Sequence, residues 1–160
     1  MLAGLWHFSF TVSDLQRSLA FYRDQLGLEV IHSQEQANEY TRRLVGYADA
    51  HLRVAMLRIP GAPVGPSGHH LELVEYVTPR GVPADVATKN PGASHLAFIV
   101  RDLQADYRRL KEAGVVFRSE PVAITEGRHR GGYTVYFLDP DGITLELLQP
   151  PPHFWERGAP

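Results

Sequence analysis

Two imidazoles and two carboxylates, His7, Glu72, His95 and Glu146, are the residues of this chain whose types and spacing could hold a metal ion. Neutral imidazole nitrogen and carboxylate oxygen together suit Zn, Ni, Co, Mn or Fe, with positions left open for water or substrate. The chain has no cysteine, so thiolate ligands, cysteine nucleophiles and disulfides are excluded and this is the metal-binding vocabulary that remains. The spacing is that of a duplication. His7-Phe8-Ser9-Phe10-Thr11-Val12-Ser13-Asp14-Leu15-Gln16 returns as His95-Leu96-Ala97-Phe98-Ile99-Val100-Arg101-Asp102-Leu103-Gln104, matching at six of ten positions, and Leu71-Glu72-Leu73 returns as Leu145-Glu146-Leu147. A long period seen twice is a duplicated module, not a solenoid array. A single histidine on a strand is usually a hydrogen-bonded structural residue. Four polar side chains at matched positions, each flanked by Leu or Phe, would carry a large burial cost unless paired or coordinated. His70 is the rival ligand, two residues before Glu72 and on its face, while Glu75 falls on the opposite face and is expected to be structural or exposed.

The elements that must position these groups follow from periodicity. Residues 7 to 12 alternate, with Phe8, Phe10 and Val12 on one face and His7, Ser9 and Thr11 on the other. Ser13 or Asp14 then caps a helix with Leu15, Leu19, Tyr22 and Leu26 on its apolar side, stopped at Gly27. Residues 28–33 and 40–47 read as strands with a turn in the polar interval 34–39, and 52–59 as the next strand. Residues 60–68, crowded with Pro and Gly, must be a loop. The strand 70–76 sets Leu71 and Leu73 on one face and His70, Glu72 and Val74 on the other. Residues 78–92 read as a linker with one helical turn near 84–88. The second module repeats the order: strand 95–100, a helix capped by Asp102 and stopped at Gly114, strand 115–117, a loop 126–132, strand 133–138, a tight turn at Asp139-Pro140-Asp141-Gly142, and strand 143–149. Pro150-Pro151-Pro152 is expected to end regular structure, and Phe154 and Trp155 in the tail to dock on the body or on a partner subunit.

The fold class read from this pattern is α+β, two tandem β-α-β-β-β modules; if their sheets pack into one concave wall, the four residues converge there on a metal site. Module one spans about 5–78 and module two about 93–149, within one domain of residues 1–150 followed by a tail at 151–160. With 160 residues the two halves can share one core. The net charge is -2 and no basic run extends beyond Arg42-Arg43 and the dispersed Arg128 and Arg130, so no nucleic-acid footprint is present. No signal-peptide pattern opens the chain and no stretch approaches the roughly 20 apolar residues of a membrane span. A soluble cytoplasmic protein is the expectation.

The paired H-x-x-F-x-V-x-D-L openings, Phe21-Tyr22 followed by Leu26-Gly27-Leu28, and Asp139-Pro140-Asp141-Gly142 leading into Leu145-Glu146-Leu147 resemble the vicinal oxygen chelate superfamily over residues 5 to 149. That group contains glyoxalase I, methylmalonyl-CoA epimerase, extradiol dioxygenases, fosfomycin-resistance transferases and bleomycin-binding proteins. The resemblance implies a cup around one divalent metal ion, commonly in a homodimer. It also implies that His7, Glu72, His95 and Glu146 stand in the His, Glu, His, Glu ligand order of glyoxalase I, the epimerases having Gln where Glu72 stands. The implied activity is that of a metal-dependent lyase or isomerase. The metal would act as a Lewis acid on a small substrate with vicinal oxygens, stabilising the enolate or enediolate left when a proton departs. A carboxylate takes and returns that proton, with Glu146 the first choice and Glu72 the second.

Arg42, Arg43, Arg128 and Arg130 are candidates for gripping an anionic part of the substrate, and Tyr133 and Tyr47 for donating to a substrate oxygen. An acyl-CoA epimerase is one form of the implied enzyme. The alternative from a different class is a small-molecule or antibiotic binding protein that holds its ligand without turnover, and a ring-cleaving dioxygenase ranks third.

Overall fold

The computed structural model describes residues 1–157 and divides the chain into two compact units, Met1–Pro83 and Ala84–Pro160. Each carries one four-stranded mixed sheet, giving the α+β class and the two tandem modules that the sequence repeat implies. Among the described residues no helix is long and apolar enough to cross a membrane.

The first unit contains β1 (His7–Val12), β2 (Glu29–Gln36), β3 (His51–Arg58) and β4 (His70–Thr78), in the order β1-β4-β3-β2. The outer strand β1 runs parallel to β4, and the other pairs are antiparallel. The connection from β1 is helical: α1 (Leu15–Leu19) continues as a π-helical turn, Ala20–Gln25. Asp14 caps it, its carboxylate accepting the Arg17 amide at 2.9 Å. The register places Phe8, Phe10 and Val12 beside Leu71, Leu73 and Glu75, so one sheet face is apolar and takes the buried Leu15, Leu19 and Tyr22 of the helix. Each such side chain contributes about 1.5–3 kcal/mol by leaving water. Glu75 is buried in this layer and accepts the Leu15 amide at 3.1 Å. It is therefore structural, and the exposed alternative falls away.

Residues 40–47 do not form the expected strand. Residues 40–45 lie instead in a second helix, α2 (Glu39–Val45), whose N-cap Asn38 accepts the Thr41 amide at 2.9 Å and whose chain turns out through Gly46 at φ 78°. The polar interval 34–39 is likewise no simple turn. Strand β2 runs on to Gln36, paired as Gln34↔Val54, Glu35↔Arg53 and Gln36↔Leu52. Polar side chains suit an edge strand, where one row of the ladder faces water. The first module is thus β-α-β-α-β-β. In the linker the expected helical turn at 84–88 is replaced by a turn in which Asp85 accepts the Ala87 amide and the Asn90 amide reaches the Ala87 carbonyl.

The second unit contains β5 (His95–Ile99), α3 (Leu103–Glu112), β6 (Val122–Ala123), β7 (Tyr133–Leu138) and β8 (Thr144–Gln149), with strand order β5-β8-β7-β6. Here β5 is parallel to β8, as β1 is to β4. Leu103, Tyr107 and Leu110 of α3 are buried with Val135, Phe137, Leu145 and Leu147. The expected strand at 115–117 shrinks to a single bridge, Phe117↔Phe137. The tight turn forms as expected: the Asp139 side chain accepts the amides of Asp141 and Ile143, and Gly142 takes φ 81°. Regular structure does not stop at the triple proline, since Pro152–Arg157 forms a 3-10 helix. That helix sets the Phe154 ring 5.9 Å from His129 and the Trp155 ring 4.5 Å from the Arg101 guanidinium, so the tail aromatics dock on the body by ring and cation contacts.

Candidate metal centre

Each unit brings together one imidazole and one carboxylate. In the first, the register sets Ser9 opposite Glu72 and His7 opposite His70, and His7 Nε2 stands 3.4 Å from Glu72 Oε2. In the second, Ala97 lies opposite Glu146 and His95 opposite Thr144, and His95 Nε2 stands 3.4 Å from Glu146 Oε2. The two pairs share one construction: a first strand parallel to the last, with the carboxylate one step along and on the face away from the helix. Alternation explains it, because the flanking Leu71, Leu73, Leu145 and Leu147 are buried under the helices and turn the glutamates to the other side. The glutamate side chains are 19 % and 15 % exposed and the histidines 33 % and 43 %, so the carboxylates sit lower and the imidazoles reach out above them.

The pairs fit a divalent ion by donor type and by spacing. Two ligands at about 2.0–2.1 Å from one ion at a tetrahedral angle lie roughly 3.3–3.4 Å apart, whereas a charge-assisted hydrogen bond closes to about 2.7–2.9 Å. Both pairs keep the wider spacing. His7 Nδ1 is also buried without a hydrogen-bond partner. Among the described residues no group of three or more His, Asp or Glu side chains is gathered to hold an ion; the donors come in twos.

Around the pairs the modules differ. Glu146 lies opposite Tyr136 and Glu72 opposite Met56. The Tyr136 ring sits 5.2 Å from that of His95, and its phenol is pushed above the ordinary range by burial and then by the Glu146 charge. Tyr76, on the Glu72 face, is pushed up by burial, by Tyr47 and by Glu72. Thr134 donates to Glu146 Oε1 at 2.5 Å. His70 is 2 % exposed with neither ring nitrogen partnered, and packs edge-on against Trp6.

The residues expected to grip substrate lie on other segments of each unit. Arg43 lies exposed on α2, beside Arg42, and Arg128 and Arg130 are exposed in the loop before β7. Tyr47 is exposed and stacks edge-on with Tyr76. Strand β7 alternates, so Tyr133 shares a face with Val135 and Phe137, away from Glu146. Tyr136 is the tyrosine beside the pair. Counting back from Asp139 along an alternating strand was the signal that could have found it, but it needed the register of β7 against β8.

The sequence pattern of the Glyoxalase/Bleomycin resistance protein/Dioxygenase superfamily matches residues 4–147. The chain belongs to that superfamily. It is 36% identical, over 96% of its own length and 80% of the relative's, to a 2-epi-5-epi-valiolone epimerase from Actinomyces sp.. It is 30% identical, over 89% of this chain and 88% of the other, to a probable lactoylglutathione lyase from Vibrio cholerae. Among solved structures, a glyoxalase family protein from Bacillus cereus superposes with a TM-score of 0.79 at 21% identity, covering 94% of this chain and 96% of that one, which establishes the shared fold. The chain is a glyoxalase-like enzyme of the isomerase or lyase type, and its superfamily uses a divalent metal ion.

Proposed function

We propose that the enzyme epimerises a small hydroxyketone at the hydroxylated carbon beside the carbonyl, with His7, Glu72, His95 and Glu146 as ligands of one divalent ion. The observation that carries this reading is the duplicated His–Glu pair, held at 3.4 Å in both units by the same strand register. One pair would leave an ion with two protein ligands, fewer than the three or four that protein sites for such ions use, so both pairs are required. Epimerisation is favoured over the lyase reaction by the higher identity to the epimerase.

The ion, when bound, supplies Lewis acidity to the two neighbouring substrate oxygens and so stabilises the negative charge that develops there. The chain's own groups do the rest. A glutamate oxygen accepts the proton from the carbon beside the carbonyl, and the C–H electron pair moves toward the carbonyl oxygen. Return of a proton to the opposite face of that carbon, donated by the other of Glu72 and Glu146 in its protonated form, gives the epimer. Return to the former carbonyl carbon gives the lyase-type outcome. His7 and His95 would hold the ion and take no part in the transfer. The phenol of Tyr136, which lies beside the His95–Glu146 pair, is a donor for a substrate oxygen. Arg43, Arg128 and Arg130 are offered as the grip for a phosphorylated or carboxylated substrate.

The test follows a valiolone-type cyclic hydroxyketone by NMR in deuterium oxide with the metal-loaded protein. Interconversion of epimers with deuterium entering at the inverted carbon is expected, abolished by chelation and restored by metal. Unchanged substrate with the loaded protein would refute the reading. Tight binding of the ketone without exchange would instead place the chain among the non-catalytic binders of its superfamily.

A further inference from the structure

His70 is a buried imidazole with neither ring nitrogen partnered, and the module plan does not call for it. The ladders set His70 beside His7 and Thr144 beside His95, so the repeat fills the same place once with an imidazole and once with a small hydroxyl side chain. Each unpartnered buried nitrogen carries its full desolvation cost. Strand alternation puts His70 on the sheet face of the His7–Glu72 pair, one strand from His7, a backbone spacing of about 4.8 Å. A single layer of chain covers it. Gly68 lies against the ring, where a Cβ would come within 3.0 Å of His70 Nε2 and 2.4 Å of the Pro63 carbonyl oxygen, and the Trp6 ring stands edge-on at 5.7 Å. Trp6, Pro63, Val64, Pro66 and Ser67 are themselves exposed, so solvent lies directly beyond. The Ser67 amide donates to the Leu5 carbonyl at 2.5 Å and the Gly68 amide to the Gly65 carbonyl at 3.0 Å. Ser67 at φ 63° and His69 at φ 53° are, among the described residues, the non-glycine residues in the left-handed region, a conformation that costs a residue with a Cβ free energy. Arg58, two residues beyond Met56 on the same face of β3, is engaged with Glu29 at 2.8 Å and with the Ala62 carbonyl at 3.1 Å, at the start of the loop.

We infer that His70 forms a subsite for a ring hydroxyl of the substrate: the enzyme acts on a polyhydroxylated cyclic ketone, and a hydroxyl away from the reacting carbons takes up the imidazole's unmade hydrogen bonds once the 63–68 segment is displaced. A neutral imidazole offers one donor and one acceptor, and a hydroxyl is both, so one such group, or two neighbouring ones, satisfies the ring. A ketone without that hydroxyl displaces the cover and leaves His70 unpaired, which is how a buried polar group rejects the analogue that lacks its partner. The strain at Ser67 and His69 lowers the cost of lifting the cover. His70 on this account sets specificity and carries no proton in the reaction. The inference rests on the proposed epimerisation and deepens it by naming the substrate class.

Two measurements test it, each comparing a valiolone-type polyhydroxylated ketone with 2-hydroxycyclohexanone, which keeps the reacting carbons and lacks the other hydroxyls. The first is deuterium exchange by the Zn2+-loaded protein. The unsubstituted protein should prefer the polyhydroxylated ketone in kcat/KM, and His70→Leu should reduce that preference about 10- to 100-fold, mainly through KM. His70→Gln, which keeps a donor and an acceptor, should recover part of it. The urea midpoint of His70→Leu should be no lower than that of the unsubstituted protein, because an apolar side chain there leaves no nitrogen unpaired. The second is NMR of the unsubstituted Zn2+-loaded protein with 15N-labelled histidine. The His70 ring signals, identified by their absence from the His70→Gln spectrum, should move when the polyhydroxylated ketone is added and stay in place with 2-hydroxycyclohexanone. Unmoved His70 signals at saturating polyhydroxylated ketone, or equal losses on both ketones in His70→Leu, would overturn the inference and leave the epimerase reading standing. So would weaker Zn2+ binding by His70→Gln, which would make His70 a metal ligand, or a lowered urea midpoint with the preference intact, which would make it a structural residue held by internal water. Absence of exchange on both ketones by the unsubstituted protein would remove the epimerase reading, and the inference with it.

Discussion

Glu72 and Glu75 are three residues apart on one strand and do opposite work, and the pleat alone separates them. Glu72 turns to the open face and meets His7; Glu75 turns under the helix, where it accepts the Leu15 amide and lies 4.0 Å from the Arg53 guanidinium. Removing Glu75 strands an amide at the start of α1 and deletes a negative charge from the positive end of that helix, so Glu75→Ala should cost about 1–3 kcal/mol of stability with little effect on Co2+ affinity. Glu72→Ala removes a proposed ligand from a partly open surface and should do the reverse, weakening Co2+ binding while urea unfolding stays within about 0.5 kcal/mol. Parallel urea melts and Co2+ titrations of the two variants check both halves. The face of each carboxylate was legible in the sequence because period-two alternation is local information. The hydroxyl of Thr134 was not, because its meeting with Glu146 depends on the pairing of two strands, which no local pattern states.

At the scale of elements, the same distinction separates what was read correctly from what was not. The helices after β1 and β5 announce themselves through Asp14 and Asp102, each accepting an amide three residues on, followed by apolar residues at helical spacing. The segment 40–47 carries only Tyr40, Leu44, Val45 and Tyr47 as large apolar groups, too short a run for periodicity to discriminate between helix and strand. Its decisive signals are at the ends. Asn38 supplies the cap and Gly46 the left-handed exit that a residue with a Cβ resists. Since Tyr40 and Leu44 remain exposed, packing does little to hold α2 and its caps do more than usual. Asn38→Ala should therefore lose about 0.5–2 kcal/mol, visible as a lower urea midpoint, and Asn38→Asp should keep most of the stability because its carboxylate accepts the same Thr41 amide and faces the helix's positive end.

For the molecule as a whole, duplication has a thermodynamic consequence. Two units folded on the same plan each present one His–Glu pair, so an ion that needed both pairs would bind only where both units are intact. Binding to the folded state alone stabilises it by an amount that grows with the logarithm of ion concentration over the dissociation constant, about 2.7 kcal/mol at a hundredfold excess. If His7, Glu72, His95 and Glu146 serve one ion, the protein should take up about one equivalent per chain, and either His7→Ala or His95→Ala should sharply weaken the uptake and remove most of the metal-induced rise in melting temperature. If each pair instead held its own ion, uptake would approach two equivalents, each single variant would keep about one, and the rise would be roughly halved. Elemental analysis beside thermal melts, with and without Zn2+, decides between one ion and two; an outcome of two would break the link between the repeat and a single catalytic centre, and with it the proposed epimerisation chemistry.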